Sequence, residues 1–186
     1  NGNDASVDQV SRRNEGLLVI VAAGNDMSGP SQTSSPGNAK SALTVAALGH
    51  AGSTQHASYS NRGPAADGRA KPDIAAPGSS IVSARVVGSS VTDTITAPQT
   101  RSLSGTSMAT PTLAGNAVLL RQFFTDGFYP RGERTAADAL HPTGAMMKAV
   151  LLNGTHALTS DADGHLWPSD AVGWGRAWLD GNLWFK

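Results

Sequence analysis

The sequence predicts an α/β fold built on a mostly parallel sheet, and three segments carry this prediction. Two short apolar runs, LLVIVAA at 17–23 and ALTVAAL at 42–48, have the length and continuous hydrophobicity of strands buried on both faces of a parallel sheet. The segment TSMATPTLAGNAVLLRQFF at 106–124 repeats apolar residues at helical spacing, and Arg121 is its only charge. We therefore expect a long helix, buried nearly all round, that packs on the sheet.

Shorter elements are predicted around these three segments. They are a surface helix at 5–15, two strands at 72–78 and 80–87 joined by a turn, a solvated loop at 88–101, and a helix at 143–153 that ends at Gly154. No internal repeat or interior boundary divides the chain. We expect the 186 residues to form one packed unit.

Composition excludes several classes of function. The chain has 14 basic and 14 acidic residues and no basic stripe, so nothing predicts binding to nucleic acid. It has no cysteine, which excludes disulfides, thiol catalysis and thiolate metal sites. No apolar run reaches the roughly 18 residues that a membrane-spanning helix needs.

The segment SLSGTSMATP at 102–111 places Ser107 at the start of the predicted buried helix. Helix N-termini expose unpaired N–H groups and a partial positive charge. A serine oxygen there can attack a carbonyl while neighbouring amides receive the developing oxyanion. Gly105 allows substrate to approach the backbone closely. A plain helix-capping serine is the simpler alternative for such a residue, but the whole GTSMATP string favours a nucleophile.

The segment AAGN at 22–25 ends the first predicted strand with a carboxamide, that of Asn25. Open α/β sheets place their ligands at the carboxyl ends of strands. A rigidly held amide there can donate a hydrogen bond to charge that develops only in the transition state. Taken alone, an asparagine after a strand is usually a turn residue. Combined with Ser107, it becomes a candidate oxyanion donor.

Four segments in this order resemble the subtilases, a family of serine proteases. They are VIVAAGN at 19–25, YSNRGPAADGRAKPDIAAPG at 59–78, GTSMATPTLAGNAVLLR at 105–121 and GWGRAWLD at 173–180. The resemblance is closest to the oxidatively stable alkaline subtilases. It implies a three-layer α/β/α fold with a mostly parallel sheet, and a serine endopeptidase that hydrolyses peptide bonds through an acyl-enzyme.

The resemblance also implies roles for individual residues. Ser107 is the nucleophile, Asn25 is an oxyanion donor, and the backbone N–H of Ser107 is the second donor. Residues 22–24 (Ala22, Ala23 and Gly24) line the primary specificity pocket, and Gly105 and Thr106 complete the substrate-binding set. Small residues in the pocket suggest broad specificity.

The sequence departs from the family in lacking a recognisable general base. Subtilases order their triad Asp, His, Ser, with the first two well before the oxyanion asparagine. No D-S/T-G or H-G-T-H string is present, and Asp4 and Asp8 match neither. The five histidines all follow Asn25, in settings that suggest structural or surface roles: His50, His56, His141, His156 and His165.

We therefore expect residues 1–186 to be the C-terminal portion of a subtilisin-like peptidase domain. The fold would be incomplete on its N-terminal side, and the missing N-terminal part would supply Asp and His. The alternative is a non-catalytic subtilase-like module for binding or assembly. An esterase of the α/β-hydrolase type is excluded, because no G-x-S-x-G elbow surrounds Ser107.

Further partners follow only from the resemblance. The chemistry needs no cofactor, but structural calcium is possible, since subtilases often bind Ca²⁺ in loops such as the one near Asp73. The DADG segment at 161–164 resembles part of a calcium loop, although a plain polar turn is the better interpretation. A C-terminal β-barrel domain often follows in the alkaline subgroup. The resemblance also implies a secreted protein.

Overall fold

A computed structural model describes residues 2–26, 33–85, 99–158 and 168–185. The described chain has an α/β fold. Its elements, in chain order, are α1 (Gly2–Arg13), β1 (Ile20–Ala22), β2 (Leu43–Leu48), β3 (Ile74–Pro77), β4 (Ile81–Ala84), β5 (Thr100–Leu103), α2 (Thr106–Thr125) and α3 (Gly144–Asn153), with single 3₁₀ turns at Ala136–Asp138 and Leu179–Gly181.

Strands β1, β2 and β3 form a parallel sheet in that spatial order. β2 lies in the middle, and all six of its residues are buried because both faces and both edges are covered. Its side chains alternate between two cores, as the period of a strand requires. Leu43 and Val45 face the core that contains α2, whereas Ala46 and Leu48 face a second core completed by residues near the C-terminus.

Helix α2 covers one face of the sheet and forms the centre of the main core. Its inward residues recur three or four positions apart, which places them on one side of the helix. They are Ala109, Leu113, Ala117, Leu120, Phe123 and Phe124. Helix α3 packs beside α2 and contributes Met147 and Leu151. Thr143 caps α3, because its hydroxyl accepts a hydrogen bond from the N–H of Met146 at 3.1 Å.

Two predictions about burial were wrong, and the two segments concerned lie on the same side of the molecule. Strand β1 is only three residues long and half-buried, although the run at 17–23 suggested a strand buried on both faces. Helix α2 is not buried all round: Val118 is 65% exposed and Leu119 is 49% exposed. The reason is that β1 is an edge strand in the described part of the chain, so nothing there covers this side.

The predicted loop at 88–101 was also partly wrong. Residues Thr100–Leu103 form β5, which pairs antiparallel with β4 in an exposed hairpin, with Ile81 opposite Leu103. The polar residues of β5 carry no apolar alternation that could have predicted a strand. Residues 88–98 and the DADG segment at 161–164 lie outside the described residues. Within the described ranges, no helix has the length and hydrophobicity needed to cross a bilayer.

Candidate active site

Ser107 is the second residue of α2 and is exposed at the mouth of the helix. The helix begins after Gly105, whose φ of 157° and ψ of 161° lie in a region that essentially only glycine adopts. Backbone N–H groups in a first helical turn have no partner inside the helix. In the described part of the chain, nothing accepts a hydrogen bond from the N–H of Ser107.

The carboxamide of Asn25 is held against this same helix end. Its Oδ1 accepts hydrogen bonds from the N–H of Thr106 at 2.8 Å and from the hydroxyl of Thr106 at 2.9 Å. Because a backbone N–H can only donate, the oxygen of the carboxamide must face it. The amide nitrogen, Nδ2, therefore points away from Thr106, and no described residue accepts a hydrogen bond from it.

Gly105 shows that these two donors surround one point. A methyl group built on Gly105 would lie 3.6 Å from Nδ2 of Asn25 and 3.7 Å from the N–H nitrogen of Ser107. Glycine leaves that space open. The structure thus brings together the two residues that the sequence predicted to act together, with the donor nitrogens of both within 3.7 Å of one open position.

The loop that carries Asn25 is fixed by a residue that sequence reasoning missed, Asn61. Its side-chain oxygen accepts a hydrogen bond from the N–H of Asp26 at 2.7 Å, and its own N–H donates to the carbonyl of Gly24 at 2.9 Å. Asn61 is 2% exposed. The N–H of Gly24 also donates to the hydroxyl of Thr106 at 3.3 Å. A buried asparagine within the YSNRGP segment was the available signal.

The remaining predicted substrate-binding residues differ in their access to solvent. Gly24 and Ala22 are half-buried, so they can contact a bound peptide. Ala23 and Thr106 are completely buried. Their side chains cannot reach a substrate, and the contribution of Thr106 is to hold Asn25 in place.

No general base is hydrogen-bonded to Ser107 among the described residues. The hydroxyl of Ser107 has no hydrogen-bond partner there. His50 bonds through Nδ1 to the carbonyl oxygen of Ala51 at 2.8 Å, and the ring of His156 contacts that of Trp178 at a 45° tilt, with centroids 5.6 Å apart. His165 lies outside the described residues. The described chain therefore brings an exposed serine hydroxyl and two amide donors together, and no described histidine bonds to that hydroxyl.

A buried ion cluster occupies the position where calcium was considered, near Asp73. One carboxylate oxygen of Asp73 bonds to the ammonium of Lys71 at 2.6 Å, and the other bonds to that of Lys148 at 3.1 Å. Lys71 also donates to the hydroxyl of Thr44 at 2.9 Å and to the carbonyl of Ala42 at 3.1 Å. Two ammonium groups already neutralise this carboxylate, so the residues around Asp73 do not fit a calcium ion.

The pKa of Lys71 is lowered from its ordinary value of 10.5 to about 8, chiefly by burial. The loss of hydration and the nearby Lys148 charge together outweigh the attraction of Asp73. The unfolded chain then binds more protons than the folded chain between about pH 8 and 10.5. The contribution of Lys71 to the free energy of unfolding therefore rises with pH through that window.

We expect a Lys71→Met variant to lack this rise. Compared with wild type across the window, the difference should be on the order of 3 kcal/mol, since one pKa unit corresponds to about 1.4 kcal/mol. Chemical denaturation between pH 7 and 11 would measure it, with Ser107→Ala in every sample to prevent self-digestion. Lys40→Met is the control for an exposed lysine. Parallel pH curves for wild type and Lys71→Met would contradict the assignment.

The chain matches the sequence profile of the subtilase family over residues 1–175. It is 45% identical over 127 residues to the serine protease/ABC transporter B family protein tagD of Dictyostelium discoideum, covering 62% of this chain and 7% of that protein. It is 44% identical over 118 residues to the serine protease AprX of Bacillus subtilis, covering 58% of this chain and 26% of that protein.

Solved structures of proteases also resemble this chain. The prenylagaramide maturation protease PagA superposes with a TM-score of 0.67 at 25% identity, over 96% of this chain and 53% of that one. The patellamide maturation protease PatA superposes with a TM-score of 0.65 at 26% identity, over 97% of this chain and 54% of that one. The chain thus spans about half the length of these structures and a smaller share of the two curated relatives.

Proposed function

Because this chain belongs to the subtilase family, we propose that it supplies the nucleophile and the oxyanion hole of a serine endopeptidase. The observation that carries the proposal is the open position beside Gly105, where a methyl group built on that glycine would lie. Two donors with no other partner in the described chain, Nδ2 of Asn25 and the N–H of Ser107, lie 3.6 and 3.7 Å from that point. Relatives named serine proteases support the same reaction.

The reaction follows from where these groups lie. The hydroxyl oxygen of Ser107 attacks the peptide carbonyl carbon, and its proton passes to a general base. The carbonyl oxygen becomes an oxyanion that receives hydrogen bonds from Asn25 and from the N–H of Ser107. The C–N bond then breaks, and the base returns the proton to the leaving amine. Water hydrolyses the acyl-enzyme on Ser107 by the same steps.

The base and its orienting carboxylate are proposed to come from a part of the peptidase domain outside residues 1–186. The uncovered side of the described fold supports this assignment. A groove of about 470 Å³ lies between β1 and α2, and its lining includes Leu17, Ile20 and Val118. An edge strand can pair with a further strand, and an exposed apolar groove can be covered by a further helix. We propose that both belong to the rest of the same domain.

We expect a charge in this groove to destabilise the full-length protein. Val118→Asp should lower the free energy of unfolding by about 2–4 kcal/mol, because the carboxylate would be buried without a partner. Val82→Asp is the matched control, since Val82 and Val118 are both 65% exposed in the described chain. Thermal unfolding of both variants in the Ser107→Ala background measures the contrast. Equal Tm values would argue against a covered groove.

The second candidate, a non-catalytic module for binding or assembly, accounts for the absent base directly. Against it stand the exposed hydroxyl of Ser107 and the open donors around Gly105, which peptide binding alone does not require. A fluorophosphonate probe tests the choice, because it forms a covalent adduct only with an activated serine. A full-length protease is labelled at Ser107, as located by mass spectrometry of the digested protein, and hydrolyses peptides. A non-catalytic module shows neither.

Three finer assignments belong to the same proposal. The pocket formed at Ala22 and Gly24 accepts many residue types, since small side chains leave it open. The protein acts outside the cell, and it belongs to the oxidatively stable alkaline subgroup, in which a β-barrel domain often follows the catalytic domain. Support for these three comes from the sequence resemblance. Structural calcium, if bound, is proposed to lie elsewhere than at Asp73, whose two oxygens are bonded to Lys71 and Lys148.

A further inference from the structure

A second groove, of about 370 Å³, lies on the exposed hairpin beside the active site. Ile81, Leu103 and Met108 form its apolar wall, and Arg85 and Arg101 contribute two positive charges. None of the described residues that line it is acidic. The groove therefore combines an apolar wall with positive charge, a combination suited to an extended segment that carries a carboxylate.

The groove opens directly onto the proposed reaction centre. Met108 follows Ser107 in α2, and its sulfur lies 3.7 Å from the open position at Gly105 around which the oxyanion donors gather. Gly105 is joined to the start of the hairpin, because its N–H donates to the carbonyl of Gly78 at 2.9 Å. A peptide bound at Ser107 can therefore continue into the groove without leaving the surface.

The order of the strands places the groove on the opposite side of Ser107 from the specificity pocket. Residues 22–24 follow β1 at one edge of the sheet, whereas the hairpin follows β3 at the other edge. The start of α2 is bonded toward both edges, through Thr106 to Asn25 at 2.8 Å and through Gly105 to Gly78 at 2.9 Å, so Ser107 lies between the two sites. If residues 22–24 hold the side chain before the scissile bond, the groove holds the residues after it.

The two arginines are available for recognition. Arg101 lies opposite Ser83 in the hairpin ladder, and the backbone of Arg85 bonds to Gln99 just beyond the ladder's end. Both side chains are exposed, and neither forms an ion pair within the described part of the chain. A guanidinium binds a carboxylate with two parallel hydrogen bonds, which is stronger and more directional than a neutral contact.

We propose that Arg85 and Arg101 make this protease prefer substrates with Glu or Asp within the first few residues after the scissile bond. The proposal rests on the endopeptidase function argued above and adds the substrate class. Exposed charge pairs contribute little, whereas a bidentate pair at a partly apolar wall contributes more. We expect a preference of about 5- to 20-fold in kcat/KM for Glu over Gln.

The test uses the full-length protein and internally quenched peptides whose residues before the scissile bond are identical. Glu and Gln are exchanged at each of the three positions after the scissile bond, and kcat/KM is measured for each pair. At one position or more, Glu should exceed Gln, and added NaCl should reduce the ratio. Arg101→Gln and Arg85→Gln should each lower the ratio of Glu to Gln, and Arg101→Glu should lower it below one.

Arg134→Gln is the control, because this arginine is 71% exposed and lies beyond the far end of α2. It should leave the ratio unchanged. Fluorophosphonate labelling distinguishes a failure of the acidic preference alone from a failure of the endopeptidase function. A labelled, active protein with a Glu/Gln ratio near one at every position would overturn the acidic preference and leave the endopeptidase function intact. A protein that is neither labelled nor active would refute the endopeptidase function and the preference together.

Discussion

Replacing Ser107 with alanine in the full-length protein is expected to abolish peptide hydrolysis and fluorophosphonate labelling together. The expected loss in kcat is about 10⁶-fold, the size known for the nucleophile of a subtilisin rather than one obtained from this structure. The reason is that Ser107 is exposed at the start of α2 and would form the covalent bond. Peptide turnover and labelling with a fluorescent probe measure both effects.

Ser102→Ala is the control for this experiment, since Ser102 belongs to the same segment but lies on β5 of the hairpin. It should retain both labelling and turnover. Residues 1–186 prepared alone should react with the probe only slowly, because no described histidine bonds to the hydroxyl of Ser107. Undiminished labelling of Ser107→Ala would show that another residue is the nucleophile. Strong labelling of residues 1–186 alone would show that the base lies within them.

Changes at Asn25 should lower kcat by about 10²–10³-fold and leave KM nearly unchanged. This magnitude, too, comes from a subtilisin in which one oxyanion donor was removed. The effect falls on kcat because the donor acts on charge that exists only in the transition state. Steady-state kinetics of Asn25→Ala and Asn25→Asp on one peptide would measure it.

The two variants separate the two roles of the Asn25 side chain, in which Nδ2 donates a hydrogen bond to the oxyanion and Oδ1 fixes the side chain to Thr106. Asn25→Asp keeps an oxygen that can accept from the N–H of Thr106, as Oδ1 does now at 2.8 Å. Its negative charge at the N-terminus of α2 is also favourable for folding. It replaces only the donor, Nδ2, and should lose at least as much activity as Asn25→Ala while being the more stable variant. A kcat within about threefold of wild type would contradict the oxyanion role.

The elements that the sequence predicted correctly are those whose signal lies in neighbouring residues. The sequence alone predicted β2, α2 and α3 and singled out Ser107 and Asn25. Apolar periodicity and short motifs are properties of neighbouring residues, and they specify an element before anything packs against it. The same local signal failed for β5, whose polar side chains lie in an exposed hairpin and carry no apolar period.

Only the tertiary structure decided what lies across from each element. The burial of β1 and α2 depends on a neighbouring layer, so an apolar sequence could not reveal that Val118 is 65% exposed. Asn61 acts on a loop 35 residues away, through its bond to the N–H of Asp26. Lys71 and Lys148 reach Asp73 from separate segments. Contacts between distant segments depend on how the elements pack, which no local pattern records.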